Sequence, residues 1–368
     1  MDKLGRLSTL TNTPEIKNLQ VGLDFRKPEY RREVFLKFYE FHLKYRTNPG
    51  CVYFLFPYIA NQLNFDEEAR LWFAFINGNT QNPVTTYQIF THFPVLQELD
   101  IHKMSDWFNE NWTTLAWDTD RRYQKKDFIA SIQSYKNQIT SSQLSFFKDL
   151  FTENEYENFE IAWARIRKDF LGFGRLSTFS YTEYLRIMGL PLDCNNLFLE
   201  DMDGSASHRN GLAIVLGRDD LDFHNEKPLY PPEQLEWLKQ EASLLLAEAK
   251  SRFVDRNFFQ DVSYFTLESV LCTYKSWHRK NRRYPNVYAD MLHDRIDWAQ
   301  QHWPDEDLSI FWNARKACLP VYLRMEDSPK DPGLVRAKQN YYLETGNVIM
   351  MSKDVPEFDN PFDRSIWQ

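Results

Sequence analysis

The chain of 368 residues carries a formal net charge of −8, and aromatic residues make up 16% of it. So many aromatic side chains exclude a disordered protein, and the acidic balance excludes a protein that coats nucleic acid with a uniformly basic surface. The four cysteines are widely spaced without a Cys-x-x-Cys pair, so the sequence indicates neither a zinc site nor a disulfide framework and favours a reducing compartment.

No segment of the sequence indicates entry into a membrane. Residues Met1 to Leu10 lack the apolar core of a signal peptide. The longest apolar run, Cys51 to Ala60, is about half the length that a membrane span requires. We therefore expect a cytoplasmic protein.

Apolar residues recur at helical spacing along most of the chain, and only 12 glycines interrupt it. Pro28 opens the first predicted helix, Asn48-Pro49-Gly50 ends it, and Asn77-Gly78 ends the second. Residues 204–220 are predicted to form a polar loop between helices. The predicted helices are residues 29–46, 66–75, 105–114, 122–135, 142–150, 155–171, 176–188, 232–252, 265–278, 284–302 and 308–317.

A polar, proline-bearing stretch over residues 222–231 is the predicted boundary between two helical lobes, 1–221 and 222–325. From residue 326 to residue 368, proline, aspartate and glycine become frequent and helical periodicity is lost. This predicts an irregular C-terminal tail with one short strand at residues 348–351. The predicted fold class is all-α, with many helices in a two-lobed architecture.

Gly172-Phe173-Gly174-Arg175 lies between two predicted helices and resembles a helix–hairpin–helix element, in which backbone N–H groups and a helix N-terminus meet a DNA phosphate. The alternative is an ordinary helix end followed by a new helix. DNA glycosylases built on such elements carry a catalytic aspartate beyond the hairpin. Asp193 lies at roughly the same distance after Arg175 and so resembles that aspartate. Asp193 also suits a helix N-cap, and the lysine that some of those glycosylases place near the hairpin is not present. A glycosylase-like architecture is therefore one expectation.

Small, hydroxyl and basic residues gather between residues 204 and 220, a composition that suits a phosphorylated ligand better than a core. His208 is the candidate for proton transfer because the ordinary pKa of histidine is near neutrality, and a structural histidine is the alternative. Glu183 is either a general base or a surface carboxylate. The residues predicted to bind substrate or phosphate here are Arg175, Ser205, Ser207, Arg209 and Asn210.

A second polar stretch, residues 77–86, follows an aromatic run. The side-chain amides of Asn79 and Gln81 carry both a donor and an acceptor, which suits the edge of a pyrimidine base. A turn followed by an N-cap at Asn82 or Thr85 is an equally good interpretation.

Two basic runs that include aromatic residues stand out from the acidic whole, residues 120–126 and 275–284. They predict a groove that follows a phosphate backbone, although a basic run near a helix C-terminus is more often a solvated face. The first run supplies Arg122 and Lys125 as phosphate ligands. The predicted DNA contacts of the second run are Lys275, Arg279, Arg282 and Arg283.

These motifs, in this order, resemble the family of α-glutamyl/putrescinyl thymidine pyrophosphorylases, also described as amino acid:DNA transferases. The resemblance extends over about residues 72–275, and some positions, such as Ala206, depart from the family pattern. The same helical region is also named as a domain that accompanies 5-hydroxymethyluracil DNA kinases. The segments that carry the resemblance are Gly78–Thr86, Asp120–Lys125, Phe173–Leu185, Ser205–Leu212, Gly217–Asp220, Glu268, Cys272 and Tyr274-Lys275.

The resemblance implies hypermodification of thymidine in DNA of the bacteriophage type, in the host cytoplasm. A separate kinase would phosphorylate or pyrophosphorylate 5-hydroxymethyluracil in double-stranded DNA. This transferase would then let the amine of an amino acid or polyamine displace the phosphate group at the 5-methylene carbon, with the base flipped out of the stack. The chain has no Gly-x-x-x-x-Gly-Lys-Ser/Thr P-loop, so it is not itself a P-loop kinase.

For this reaction the candidate residues divide into three roles. Arg175, Arg209, Arg122 and Lys125 would stabilise the leaving group. His208, Glu183 or Asp193 would take the proton of the incoming ammonium, and Asn79, Gln81 or Asn210 would hold the flipped base. No metal or cofactor is expected. Two alternatives stay open: a helical DNA glycosylase that uses Asp193, and a non-catalytic DNA-binding module that partners a 5-hydroxymethyluracil DNA kinase.

Overall fold

The computed structural model describes residues 20–21, 27–200, 206–223, 230–278, 287–319, 324 and 347–348. Over these residues nearly all regular structure is helical, which confirms the predicted all-α class. The helices are α1 (Pro28–Tyr45), α2 (Val52–Gln62), α3 (Glu67–Thr80), α4 (Pro83–His92), α5 (Ile101–Glu110), α6 (Phe128–Gln138), α7 (Gln143–Lys148), α8 (Glu155–Asp169), α9 (Arg175–Ile187), α10 (Ser207–Val215), α11 (Pro232–Arg252), α12 (Tyr264–Trp277), α13 (Val287–His302) and α14 (Ser309–Cys318). The remaining elements are 3₁₀ helices at Thr119–Asp127, Asp219–Leu221 and Phe259–Asp261, and the antiparallel pair β1 (Gln20–Val21) and β2 (Asn347–Val348).

Local sequence signals set several helix boundaries. The side chain of Asn82 accepts hydrogen bonds from the N–H groups of Val84 and Thr85 at 3.1 and 3.2 Å, so Asn82 is the N-cap of α4. Helix α11 begins at Pro232 and ends at Arg252, the bounds that its prolines and apolar spacing predict. The capping interpretation of the polar stretch 77–86 is therefore confirmed at Asn82.

Three helices, α2, α4 and α10, lie where the sequence indicates an apolar run, a polar turn and a loop. The loop prediction for residues 204–220 is wrong over 207–215, which form α10. The predicted helix end at Asn77-Gly78 is also wrong, because α3 continues to Thr80. Helix α2 contains Pro57, a residue that ordinarily disfavours a helix interior.

Two glycines lie inside helices, at positions where a neighbouring element approaches closely. The sequence predicts a turn and a loop there because glycine is an ordinary turn residue. A Cβ atom on Gly78 would lie 3.2 Å from side-chain atoms of Phe173 and Tyr181. A Cβ atom on Gly211 would lie 2.2 Å from the main-chain oxygen of Leu271. The glycine at 211 therefore lets α10 approach α12 closely, and this pair makes the most extensive helix contact in the described residues.

Two hydrophobic cores hold the helices together, and they interleave along the chain. The first core takes apolar residues from α2 to α9, α13 and α14, and the second takes them from α10, α11 and most of α12. Helix α1 contributes Phe41 to the first core and Phe35 to the second. The predicted lobe boundaries, 221/222 and 325/326, stay predictions. The predicted tail, residues 326–368, lies outside the described residues apart from 347–348.

The predicted turn between α8 and α9 is present. Gly172 has a φ of +83°, and Gly174 directly precedes Arg175, the first residue of α9. A wider likeness to helix–hairpin–helix glycosylases stays a prediction. In the described part of the chain no helix is both long and apolar enough to cross a membrane.

Candidate active site

Side chains from three helices meet in the interior and form what we call the Arg175 cluster: Arg175 from α9, His208 from α10 and Glu268 from α12. The Nη2 atom of Arg175 lies 3.0 Å from Nε2 of His208. The Oε1 atom of Glu268 lies 3.4 Å from Arg175 Nη2 and 3.4 Å from His208 Nδ1. All three residues are buried, with exposures of 1%, 1% and 6%. The cluster therefore joins helices that belong to different cores.

The contacts of His208 determine where its proton lies. A guanidinium group only donates, so Nε2 of His208 accepts from Arg175 and the ring proton resides on Nδ1, facing Glu268. Burial, followed by the charges of Arg175 and Arg209, holds the pKa of His208 well below its usual value. His208 is therefore neutral at physiological pH, and its lone pair is already engaged.

Glu268 is the carboxylate of the cluster. Burial raises the pKa of Glu268, and the opposite charge of Arg175 acts against that rise. Sequence reasoning noted Glu268 only within the family resemblance and assigned it no role. Its position beside both Arg175 and His208 becomes visible only when α12 is packed against α9 and α10.

Two fully buried polar atoms on α9 have no hydrogen-bond partner within the described residues. They are Nε of Arg175 and Oγ1 of Thr178, one helical turn further along. A buried polar group without a partner costs about 1–3 kcal/mol. These two atoms are among several of this kind in the described residues, and they lie on the first turn of α9, which carries the Arg175 cluster.

The start of α10 forms a partly exposed rim next to the cluster. Lys275 donates from Nζ to Oγ of Ser207 at 2.7 Å, and both residues have intermediate exposure. Arg209 is buried with its guanidinium 4.4 Å from the ring centroid of Tyr230, and burial lowers the pKa of Arg209. Asn210 is buried in the same turn of the helix. The structure thus brings Ser207 and Lys275 into contact, whereas the sequence places them in separate motifs.

Glu183 lies on α9 and is fully buried. Its Oε1 accepts a hydrogen bond of 2.8 Å from the hydroxyl of Tyr53. Burial raises the pKa of Glu183 well above its usual value. Glu183 is therefore not a surface carboxylate, the alternative that the sequence allowed.

Asp193 lies away from the Arg175 cluster. Its Oδ1 is 3.4 Å from Nε of Arg186, near the C-terminal end of α9. Arg186 follows Arg175 by eleven positions, which corresponds to about 16 Å along an α-helix. Burial raises the pKa of Asp193, with Arg186 opposing it. The structure therefore does not bring Asp193 together with His208.

The polar stretch 77–86 is organised by Arg121, a residue that sequence reasoning did not single out. Arg121 is buried, and it donates to the main-chain oxygen of Asn79 at 3.0 Å, to Oδ1 of Asn79 at 2.9 Å and to the carbonyl of Gly172 at 2.6 Å. Burial lowers the pKa of Arg121 to about 10. Gln81 is only partly buried and donates to Oγ of Ser180 at 3.2 Å. The amide oxygen of Asn79 is thus already engaged by Arg121.

The predicted phosphate ligands of the 3₁₀ helix Thr119–Asp127 differ in exposure. Arg122 is exposed and lies against the ring of Tyr123. Lys125 turns inward: Nζ donates to the carbonyl oxygens of Leu115, at 2.6 Å, and of Trp112. Burial lowers the pKa of Lys125 to about 8. The predicted residues that lie outside the described part of the chain are Ser205, Arg279, Arg282 and Arg283.

The block Gly217–Asp220 that follows α10 has a role in packing. Gly217, with a φ of +71°, ends the helix region, and Asp219 pairs with Arg31 of α1 through a contact of 2.5 Å. In the described residues no group of three or more histidine, cysteine, aspartate or glutamate side chains is arranged to hold a metal ion.

Comparison with known proteins identifies the family. The chain matches the model of a family described as amino acid:DNA transferase over residues 55–284, which include the whole Arg175 cluster and its rim. It is 28% identical over 348 residues to the serinyltransferase of Salmonella phage ViI, covering 89% of this chain and 84% of that protein. No solved structure matches the chain. Because the family match covers more than half of the chain, this protein belongs to the amino acid:DNA transferase family and is a transferase.

Proposed function

We propose that this transferase joins the amine of an amino acid to the 5-methylene carbon of phosphorylated 5-hydroxymethyluracil in double-stranded DNA. Serine is the first candidate donor, because the relative from phage ViI is named a serinyltransferase. A separate 5-hydroxymethyluracil DNA kinase supplies the phosphorylated base, since this chain has no P-loop. The observation that carries the proposal is the buried Arg175 cluster with an unsatisfied guanidinium nitrogen, inside the region that matches the family.

The reaction forms one bond and breaks one. The nitrogen lone pair of the amine attacks the methylene carbon, and the carbon–oxygen bond to phosphate breaks with its electron pair staying on the phosphate. The ammonium form of the amine must lose a proton so that the lone pair is available. The site must therefore stabilise a departing anion and accept one proton.

The residues at the rim of the site suit the departing phosphate. Lys275 and Ser207 provide an ammonium and a hydroxyl that already contact each other, and Arg209 follows two positions after Ser207. Charged donors to phosphate form hydrogen bonds about twice as strong as neutral ones. In this assignment Lys275 acts on the leaving group and not on the duplex backbone.

Glu268 is the proton acceptor in our proposal, and His208 is a positioning residue. The lone pair of His208 is engaged by Arg175, and its low pKa makes it a weak base. Glu268 has a raised pKa, which makes its carboxylate a stronger base than an ordinary glutamate. Glu183 and Asp193 are less suited, because the first is bonded to the hydroxyl of Tyr53 and the second pairs with Arg186, and neither is bonded to Arg175 or His208 in the described residues.

The test uses the full chain with duplex DNA containing phosphorylated, pyrophosphorylated or unphosphorylated 5-hydroxymethyluracil. Each DNA is incubated with ¹⁵N-serine, with a mixture of the other amino acids, or with putrescine. The nucleosides are then released and analysed by mass spectrometry. We expect a new nucleoside that carries the ¹⁵N label and has lost its phosphate, formed from phosphorylated or pyrophosphorylated DNA only.

Two other outcomes would contradict the proposal. Release of free base with an abasic site would identify a glycosylase. Unchanged nucleosides with DNA still bound would identify a non-catalytic module. The variant Glu268→Gln tests the assignment of the base: we expect turnover to fall while DNA affinity is retained, whereas equal turnover at all pH values would remove Glu268 from the mechanism.

A further inference from the structure

Two segments that are distant in sequence form one continuous surface beside the active site. The 3₁₀ helix Thr119–Asp127 meets the turn between α8 and α9 through Arg121, which donates to the carbonyl of Gly172 at 2.6 Å. Arg121 also donates to Oε1 of Gln124 at 2.5 Å, and a Cβ atom on Gly172 would lie 3.3 Å from that same oxygen. The buried guanidinium therefore fixes the two segments against each other.

This surface, which we call the hairpin face, consists of five exposed residues: Arg122, Tyr123, Lys126, Lys168 and Leu171. The hairpin face carries three exposed cations, Arg122, Lys126 and Lys168, in a chain of net charge −8. The exposed carboxylates of the segment Thr119–Asp127 are Asp120 and Asp127, so cations remain in excess on this face. A local cationic surface of this kind attracts a polyanion.

The hairpin face also exposes two large apolar side chains. Tyr123 is 72% exposed, more than any other large hydrophobic residue in the described chain, and Leu171 is 51% exposed. The guanidinium of Arg122 lies 5.6 Å from the ring centroid of Tyr123. A shallow open depression lies at the turn, lined by Gln124, Ser134 and residues 167–174. An aromatic ring backed by a guanidinium, with cations around it, has the chemistry that contacts both bases and phosphates.

We propose that the hairpin face docks the DNA duplex, with Arg122, Lys126 and Lys168 on phosphates and with Tyr123 and Leu171 against bases. The identity of the partner rests on the proposed function, and charge complementarity to phosphate supports DNA over an acidic protein surface of lower charge density. The location suits a reaction on an extruded base. Arg175 follows Gly172 by three residues, so at most about 11 Å of chain separates the turn from the cluster.

The first experiment measures the affinity of the full chain for a fluorescently labelled, unmodified DNA duplex by anisotropy at several salt concentrations, without amino acid. We expect the triple variant Arg122→Ala, Lys126→Ala, Lys168→Ala to bind roughly 10- to 100-fold more weakly at low salt. The slope of log affinity against log salt should become shallower by about 0.9 for each phosphate that is no longer neutralised. The control, Lys239→Ala with Arg256→Ala, removes two surface cations that pair with Glu200 and Glu40, and it should bind as the wild type does.

The second experiment separates stacking from charge. Tyr123→Ala and Leu171→Ala should each bind about 5- to 10-fold more weakly with an unchanged salt slope, because the same number of phosphates is neutralised. Tyr156→Ala and Leu244→Ala are matched controls, with exposures of 46% and 57%, and should have no effect. Circular dichroism of every variant confirms that the fold is retained.

The outcomes distinguish this inference from the proposed chemistry. If the variants of the hairpin face bind DNA as tightly as the wild type and still transfer the amine, the proposal that this face docks DNA is wrong. The proposed chemistry is then unaffected. Weakened binding in the face variants supports the surface even if no amine transfer is found, because the binding assay requires no turnover. If the controls weaken binding as much as the face variants, DNA binding is diffuse and the inference is wrong.

Discussion

Two arginines, Arg121 and Arg175, are both buried but have different surroundings. Arg121 is 5% exposed, and its nitrogens donate to neutral acceptors at 2.5 to 3.0 Å. Arg175 is 1% exposed, its contacts with Glu268 are 3.4 Å long, and its Nε has no hydrogen-bond partner within the described residues. Arg121 therefore ties two segments of the scaffold together, whereas Arg175 holds a histidine and a carboxylate through longer contacts. In our proposal this difference marks Arg175 as the functional arginine of the two.

The largest effect is expected when Arg175 is replaced by lysine. Arg175→Lys keeps the charge but loses the planar fork, so it cannot contact His208, Glu268 and a ligand together. We expect kcat to fall by about 10²-fold, because Glu268, the proton acceptor in our proposal, loses the donor that positions it. Single-turnover rates measured on the amine-transfer reaction give this number. An Arg175→Lys enzyme that turns over normally would place the chemistry elsewhere.

The same substitution at the other arginine should act on stability. Arg121→Lys replaces several donors with one ammonium and leaves buried acceptors on Asn79 and Gly172 unsatisfied. We expect the free energy of unfolding to fall by roughly 2–3 kcal/mol, with turnover of the folded enzyme close to normal. Urea unfolding together with active-site titration separates the two effects. The comparison of the arginines fails if Arg121→Lys loses turnover as completely as Arg175→Lys.

The packing that places His208 against Glu268 can be disturbed at one glycine. Gly211→Ala would put a methyl group 2.2 Å from the oxygen of Leu271, so α10 and α12 must separate. We expect a loss of about 2 kcal/mol in unfolding free energy, in the range of overpacked cores. Gly174→Ala is the control for stability, since no atom lies within 4 Å of its added Cβ atom. Equal stabilities of the two variants would show that α10 can move freely.

The smallest effect concerns Glu183, a buried acid further along α9 from Arg175. Its folded-state pKa is raised, whereas in the unfolded chain glutamate ionises near about pH 4.3. Between those two pKa values the folded state binds more protons than the unfolded state. The contribution of Glu183 to the free energy of unfolding is therefore largest below about pH 4.3. It falls as pH rises, by at most about 1.4 kcal/mol per pH unit. Glu183→Gln should flatten this fall in urea-unfolding curves recorded across pH. An unchanged pH dependence would mean that Glu183 does not stay protonated in the folded protein.

Most helices can be predicted from the sequence, because apolar periodicity is a local property. The prediction is accurate at α11, with prolines before it and a long apolar stripe, and at the Asn82 cap. It is wrong at α10 and at the end of α3, because Gly78 and Gly211 are ordinary turn signals whose actual role depends on partners far away in sequence. A glycine at a helix crossing cannot be distinguished from a glycine in a turn without its neighbour.

The candidate site is predictable in part for the same reason. Arg175 and His208 stand out through the composition around them, and the structure places them 3.0 Å apart. Glu268 has only apolar and hydroxyl neighbours in sequence, so no local pattern marks it. Arg121 and Arg122 are adjacent, and only packing shows that the first is buried and the second exposed. The chemistry of each residue can be predicted from the sequence, but its burial and its contacts with distant residues cannot.

The position of the Arg175 cluster between two cores has a consequence for adaptation. Helix α9 is seated in the first core and α10 in the second, so the 3.0 Å contact between Arg175 and His208 measures how the two cores are aligned. A change of side-chain volume deep in either core shifts that alignment, because close-packed interiors transmit strain. Selection for a different growth temperature can therefore tune the spacing within the Arg175 cluster through distant apolar residues, without altering Arg175, His208 or Glu268.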